Sequence, residues 1–284
     1  MKNSFSHPQK AFHILGRILT YVFLIVLMLL AIGPFSWVLL SSFKNNAEII
    51  NTSLALPKSF SFRNYAKAFE MAPLASFYGH SILVAVFGTL FNLTIVGMAA
   101  YVVSRFRFRF KGVVIALISA LMMVPGAALL QPLYLTAKNL GFYDKLYGLM
   151  IVYAAFGAPQ SLYILSSYFL TIPREMEEAA YLDGASFTQT FHRVILPMAK
   201  PGFATAGVLQ FLLCWNEFQF AMTLTTGNKV RTLPVALYYF KSQFGTDYGV
   251  MFAATIIVII PSIIVFVLLQ EWVVSGLAAG AVKG

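Results

Sequence analysis

Few residues in this chain could do chemistry. Of 284 residues, ten are Asp or Glu, four are His and one is Cys. His7, His13, His80 and His192 have no metal-ligand spacing, and none lies near Cys214 in sequence with a plausible base. No His-Glu-x-x-His or Gly-x-Ser-x-Gly run is present, so metalloprotease and serine-hydrolase chemistry lack their parts. A lone cysteine supports neither a disulfide framework nor a Cys-based metal site. A P-loop requires Gly-Lys before its Ser or Thr, and no Gly-Lys pair occurs anywhere. The chain is read as no enzyme, with no catalytic residue, metal or cofactor of its own. The acids form a pattern instead. Glu175, Glu177, Glu178 and Asp183 crowd into one short stretch, while Glu217 stands alone in an apolar run.

That acidic stretch belongs to a polar segment, residues 171–201, which reads as two short helices around an elbow. Pro173 suits a first helical turn, and the glutamates sit where the helix dipole favours anions. Ala179 and Ala180 are strong helix formers, and Gly184 is a natural stop in a left-handed turn. A second helix is predicted over residues 186–193, ended by Pro197. Asp183 either caps that second helix or faces a partner. Such a surface fits a protein partner better than a chemical substrate.

The elements that must carry this segment are set by composition. The chain is 59% apolar, 11% charged and 15% aromatic, with mean hydropathy +0.78. Soluble domains carry roughly 25% charged residues, and disordered chains carry few apolar ones. The apolar residues fall in six runs long enough to cross a bilayer: 18–40, 77–103, 113–136, 147–170, 203–225 and 250–274. They are apolar all round, as lipid demands. The expected fold is therefore all-α, a polytopic integral membrane protein with six transmembrane helices. Its parts are an N-terminal segment 1–17, a membrane domain 18–274 that includes the 171–201 loop, and a tail 275–284.

The net charge of +10 suggests nucleic acid until the charges are located. Lys2, Lys10 and Arg17 precede the first run, and Arg105, Arg107, Arg109 and Lys111 fill the short loop after the second. By the positive-inside rule that side is cytoplasmic, which places both termini and the 171–201 loop inside the cell membrane. The Arg-Phe alternation reads as an interfacial anchor, with rings at the bilayer boundary and guanidiniums reaching phosphates. The partner implied is lipid, and no nucleic acid.

At this level of detail the residues resemble a family. Glu178-Ala179-Ala180, Gly184 and the later Val194-Ile195-Leu196-Pro197 resemble the EAA loop of ATP-binding-cassette importer permeases, with Val194 where that family prefers isoleucine. Glu177-Glu178-Ala179-Ala180, Asp183-Gly184-Ala185, Leu196-Pro197, Gln131-Pro132-Leu133-Tyr134, Trp215-Asn216-Glu217-Phe218 and Asn64-Tyr65 are similar to carbohydrate-importer permeases of the maltose type. The run from Gly276 to Gly284 resembles the tail of the G-type subunit. The resemblance covers essentially the whole chain and implies type I ABC importer permease architecture, half of a heterodimeric pore in a bacterial cell membrane. It implies that Glu177, Glu178, Ala179, Ala180, Asp183, Gly184, Ala185, Leu196 and Pro197 couple to a cytoplasmic ATPase dimer, which would hold the ATP and magnesium. An extracytoplasmic sugar-binding protein would deliver the carbohydrate to the outer segments, 44–76 and 226–249. The tail would either reach between the ATPase subunits or remain without structure.

The polar residues inside the runs keep two readings. Asn92, Gln131, Gln160, Gln210, Asn216, Glu217 and Gln219 either face a hydrated path or bond between helices. For a sugar path the candidates are Gln131, Tyr134, Trp215, Asn216, Glu217 and Phe218, since amides bind hydroxyls and rings pack on sugar C–H faces. An ion-coupled secondary transporter is the alternative class, and a single intramembrane carboxylate is a poor proton relay.

Overall fold

The computed structural model describes residues 7–52, 54–243 and 247–281, and among these every regular element is helical. α1 (His7–Ser41) leads to two short helices, α2 (Asn46–Asn51) and α3 (Arg63–Met71), and then to α4 (Leu74–Arg105). α5 (Lys111–Leu121) and α6 (Gly126–Asn139) precede α7 (Leu146–Phe169). The polar segment folds as α8 (Glu175–Leu182), α9 (Phe187–Thr190), a π-helical turn (Phe191–Ile195) and α10 (Leu196–Met198). The rest is α11 (Lys200–Asn216), α12 (Gln219–Leu224), α13 (Leu233–Gln243) and α14 (Tyr248–Ala281).

Four single helices are long and apolar enough to cross a bilayer: Leu15–Ser41, Leu74–Arg105, Leu146–Phe169 and Tyr248–Glu271. They correspond to four of the six expected spans. The other two expected spans are not continuous helices. The 113–136 run bends by 103° between α5 and α6. Pro125 accounts for the break, because it has no N–H to donate and disfavours helical geometry at Val124. The 203–225 run stops at Asn216 and resumes as α12. α11 has 17 residues, a rise of roughly 26 Å against a hydrocarbon core of about 30 Å. At the C-terminus the expected tail is helical as far as Ala281, continuing α14. Residues 282–284 of that tail, and residues 1–6 of the N-terminal segment, lie outside the described residues.

α4, α7, α11 and α14 form the bundle. Its interior holds two apolar cores. One gathers Phe77, Tyr153, Trp215 and Leu233, and the other Tyr101, Leu165, Phe169 and Ile195. Between them lies a polar layer. Asn92 Nδ2 donates to the carbonyl of Ala154 at 2.7 Å, and Gln210 Nε2 donates to that of Tyr153 at 3.0 Å. Two helices thus donate to neighbouring carbonyls of α7, which continues unbroken through Pro159. Small residues permit this approach. A Cβ at Gly157 would overlap the Gln210 amide. Residues 15–34 of α1 are exposed throughout, a surface suited only to an apolar environment.

At the end of the bundle opposite α8, short helices and loops close over the spans. Asn64 Nδ2 donates to the carbonyls of Ser42 and Lys44, both at 2.8 Å, and Tyr65 shares a 2.7 Å hydrogen bond with Ser42. Lys67 pairs with Asp247 at 2.5 Å, joining α3 to the start of α14. Asn64 and Tyr65 thereby fix this cap to the end of α1.

Gly157→Ala should destabilise the bundle by about 1–3 kcal/mol, the usual cost of overpacking. It should lower the melting temperature of the purified protein in detergent. Gly112→Ala, where a Cβ meets nothing within 4 Å, should leave it unchanged.

Candidate functional site

The polar segment is an ordered elbow. α8 ends in a Schellman motif: Gly184 has φ 81°, its N–H donates to Tyr181 O at 3.0 Å, and Ala185 N donates to Ala180 O at 2.9 Å. Glycine is required there by the left-handed backbone. Asp183 is the last residue of that turn and does not cap the second helix; Ser186 does. Its hydroxyl accepts from Gln189 N at 3.4 Å, and the Gln189 side chain accepts from Ser186 N at 2.8 Å, a complete capping box. The expected second helix is shorter than predicted, and Pro197 does not end it. The π-helical turn takes up the register, with Leu196 N donating to Phe191 O, and the helical path continues into α11.

The elbow sorts the predicted coupling residues into two groups. Glu178, Ala179, Asp183, Gly184 and Pro197 are exposed. Ala180 is buried against the bundle, and Ala185 and Leu196 are half-buried. Glu177 is turned inward: its Oε1 lies 2.8 Å from Arg105 Nε, with the side chains only 12% and 4% exposed. Arg105 also donates from Nη2 to Ile172 O at 2.6 Å. Glu177 is thus tied to the bundle, unlike the exposed Glu178. One expectation is corrected: Arg105 is not an interfacial anchor like the exposed Arg107 and Arg109. The pair also places the loop after α4 and the 171–201 loop at one end of the bundle. Sequence reasoning missed the apolar side chains on the elbow. Leu182 is 88% exposed, and Met176, Tyr181 and Phe187 are also open. The signal was a leucine in the last turn of a helix whose first turn is acidic.

The second candidate region is the break between α11 and α12. Glu217 causes and stabilises it. Its Oε1 accepts from Phe220 N at 2.8 Å, and its Oε2 accepts from Ala221 N at 3.0 Å and from Tyr153 OH at 2.7 Å. The lone carboxylate in the apolar run satisfies the first amides of α12. Beside the break is a cavity of about 540 Å³ lined by Asn216, Phe218, Pro234, Leu237, Tyr238, Met251, Thr255 and Val258. Asn216 bonds Ser262 Oγ at 3.1 Å through its Oδ1. Trp215 is not part of this lining. It is 1% exposed, donates to Val258 O at 3.1 Å and stacks on Phe211. Gln131 is exposed on α6. Tyr134 packs edge-on against Tyr143, with Lys138 Nζ 5.1 Å above its ring. Neither lines the cavity. Asn92 and Gln210 belong to the interhelical layer, whereas Gln160 and Gln219 are exposed.

At the end of the bundle away from the elbow, Asp144 ties the loop before α7 to the segment after α12. Its Oδ1 accepts from Thr226 N at 2.8 Å and Gly227 N at 3.2 Å. Those amides, Thr226 foremost, hold its carboxyl below the ordinary value of 3.8 against the opposing effect of partial burial. Among the described residues no cluster of His, Cys, Asp and Glu is arranged to hold a metal.

What these helices build is a polytopic membrane protein, with an ordered, exposed elbow at one end. Residues 92–278 match the family described as binding-protein-dependent transport system inner membrane component, and the chain belongs to that family. The probable ABC transporter permease protein YurM of Bacillus subtilis (strain 168) is 36% identical over 278 residues, 98% of this chain and 92% of that one. The trehalose/maltose transport system permease protein MalG of Thermococcus litoralis is 34% identical over 274 residues, covering 95% and 98% of the two chains. Among solved structures, a chain of a bacterial ABC transporter involved in importing the acidic polysaccharide alginate superposes with TM-score 0.80. It is 26% identical, and the match spans 95% of this chain and 99% of that one.

Glu217→Ala should cost about 0.5–2 kcal/mol, the range for a lost helix cap. Glu217→Gln, which keeps one acceptor oxygen, should cost less in detergent unfolding. Asp144 should stabilise the two segments it joins fully above its ordinary value of 3.8, and that contribution should fade as pH falls through its lowered folded value. Asp144→Asn should therefore lower the unfolding midpoint at pH 7. Well below pH 3.8, where both states are protonated, the two proteins should unfold alike.

Proposed function

We propose that this chain forms one half of the membrane pore of a binding-protein-dependent importer for a carbohydrate, beside a second permease subunit. The names of its relatives support the substrate class, since the Thermococcus protein is named for trehalose and maltose and the alginate importer for a polysaccharide. The ATP is hydrolysed by a separate cytoplasmic ATPase dimer, which holds the magnesium. Both termini and the elbow are cytoplasmic, on the side of Arg107, Arg109 and Lys111, and the outer cap receives the sugar-loaded binding protein.

The observation that carries this reading is the exposed elbow. Glu178, Leu182 and Asp183 stand out from a stiff turn closed by its own backbone hydrogen bonds. An apolar knob flanked by acids suits a groove with basic edges on a partner. Binding of ATP favours one of two partner arrangements, and the elbow biases the bundle by following it. The cavity at Asn216 and Phe218 supplies amide and ring surfaces of the kind a sugar path needs. No observation favours ion coupling, because the Glu217 oxygens already accept from two amides and a phenol.

Glu178→Lys and Leu182→Asp should each release the ATPase from the detergent-extracted complex while the two permeases still co-purify. Full retention of the ATPase by both variants would refute the docking assignment.

A further inference from the structure

The inner end of α4 holds the elbow at three places. Arg105 pairs with Glu177 of α8 and donates to the carbonyl of Ile172, where the chain enters the elbow. Tyr101, one turn earlier, packs on Phe187 and Phe191 with centroids 5.7 and 4.9 Å away, where the chain leaves it. Entry, first helix and exit therefore converge on the last turn of a helix to which the elbow has no direct covalent link.

α4 is continuous over 32 residues, roughly 48 Å at 1.5 Å per residue. At its far end Ser81 Oγ accepts from Leu233 N at 2.7 Å, and His80 Nδ1 lies 3.0 Å from Arg231 O. Those bonds hold the entrance to α13, whose Pro234, Leu237 and Tyr238 line the cavity. One uninterrupted helix thus joins the elbow to a wall of the cavity. Buried side chains hold it at the inner end, and backbone-directed hydrogen bonds hold it at the outer end.

We propose that Arg105 is a positioning residue: with Glu177 it makes the elbow move together with α4, which delivers the displacement to the start of α13. This rests on the coupling role proposed above and names the route that coupling takes. A guanidinium suits the position because it places its charge beside the carboxylate while donating to a carbonyl from another nitrogen. The enclosure of both side chains keeps the pair from exchanging with solvent charges.

The test uses the complete complex of two permeases and ATPase in nanodiscs. Cys214, which is buried, is replaced by Ala, and Tyr238→Cys is introduced in the cavity wall. The readout is the labelling rate of that cysteine by a membrane-impermeant maleimide, with and without ATP, magnesium and vanadate. The parent should change its rate on adding ATP. Arg105→Gln and Glu177→Gln should keep the ATPase bound and hydrolysing ATP yet lose that change, and Arg105→Lys should restore part of it. Variants that respond as the parent does overturn the proposal while leaving the docking assignment intact. Loss of the ATPase from either variant also overturns it, because the pair would then belong to the dock. A parent that fails to hold the ATPase removes the coupling reading, and this proposal with it.

Discussion

A bilayer interior offers no water, so every polar group placed there must find its partner within protein. That constraint organises this bundle. Asn92 and Gln210 span the gaps between helices by donating to consecutive carbonyls of α7, and Gly157 leaves room for the Gln210 amide to do so. Glu217 is the most demanding case. A carboxylate in an apolar run needs several donors, and it obtains two of them by ending α11 and starting α12. The broken span follows from a polar group satisfying itself with backbone amides.

The elbow obeys the same constraint under easier conditions. It lies at the membrane edge, where water serves any group that faces outward, so only inward-facing charges need internal partners. Arg105 and Glu177 are those charges. They neutralise each other at the junction of elbow and bundle, leaving Glu178 and Asp183 exposed beside Leu182. Stiffness comes from the closed turn at Gly184 and the capping box at Ser186, so the elbow is held as one ordered body. This division, rigid and bonded inward but charged and apolar outward, is what a docking element requires.

Much of the architecture was legible in the residues. Apolar runs located the four continuous helices within a few residues, and Gly184 located the elbow, because glycine there answers a backbone demand. The two interrupted spans were less legible. Pro125 marked the first break, yet proline is tolerated in membrane helices often enough that its presence alone did not decide. The second break had no proline at all. It depended on Glu217 reaching amides three and four residues ahead and Tyr153 on another helix. Trp215 shows the same limit: aromatic residues suit a sugar path and a core equally, and its burial against Val258 follows from how α11 and α14 cross.

By itself the sequence determined that this chain is a bundle of apolar helices carrying one acidic elbow. Composition, run length and the spacing of the acids suffice for that, because each depends on local chemistry alone. Only the tertiary structure decided which members of a charged run face inward: Arg105 and not Arg107, Glu177 and not Glu178. Adjacent helical residues point about 100° apart, and a segment rich in polar residues has no apolar stripe to set its phase. The phase is set by the neighbour it packs against.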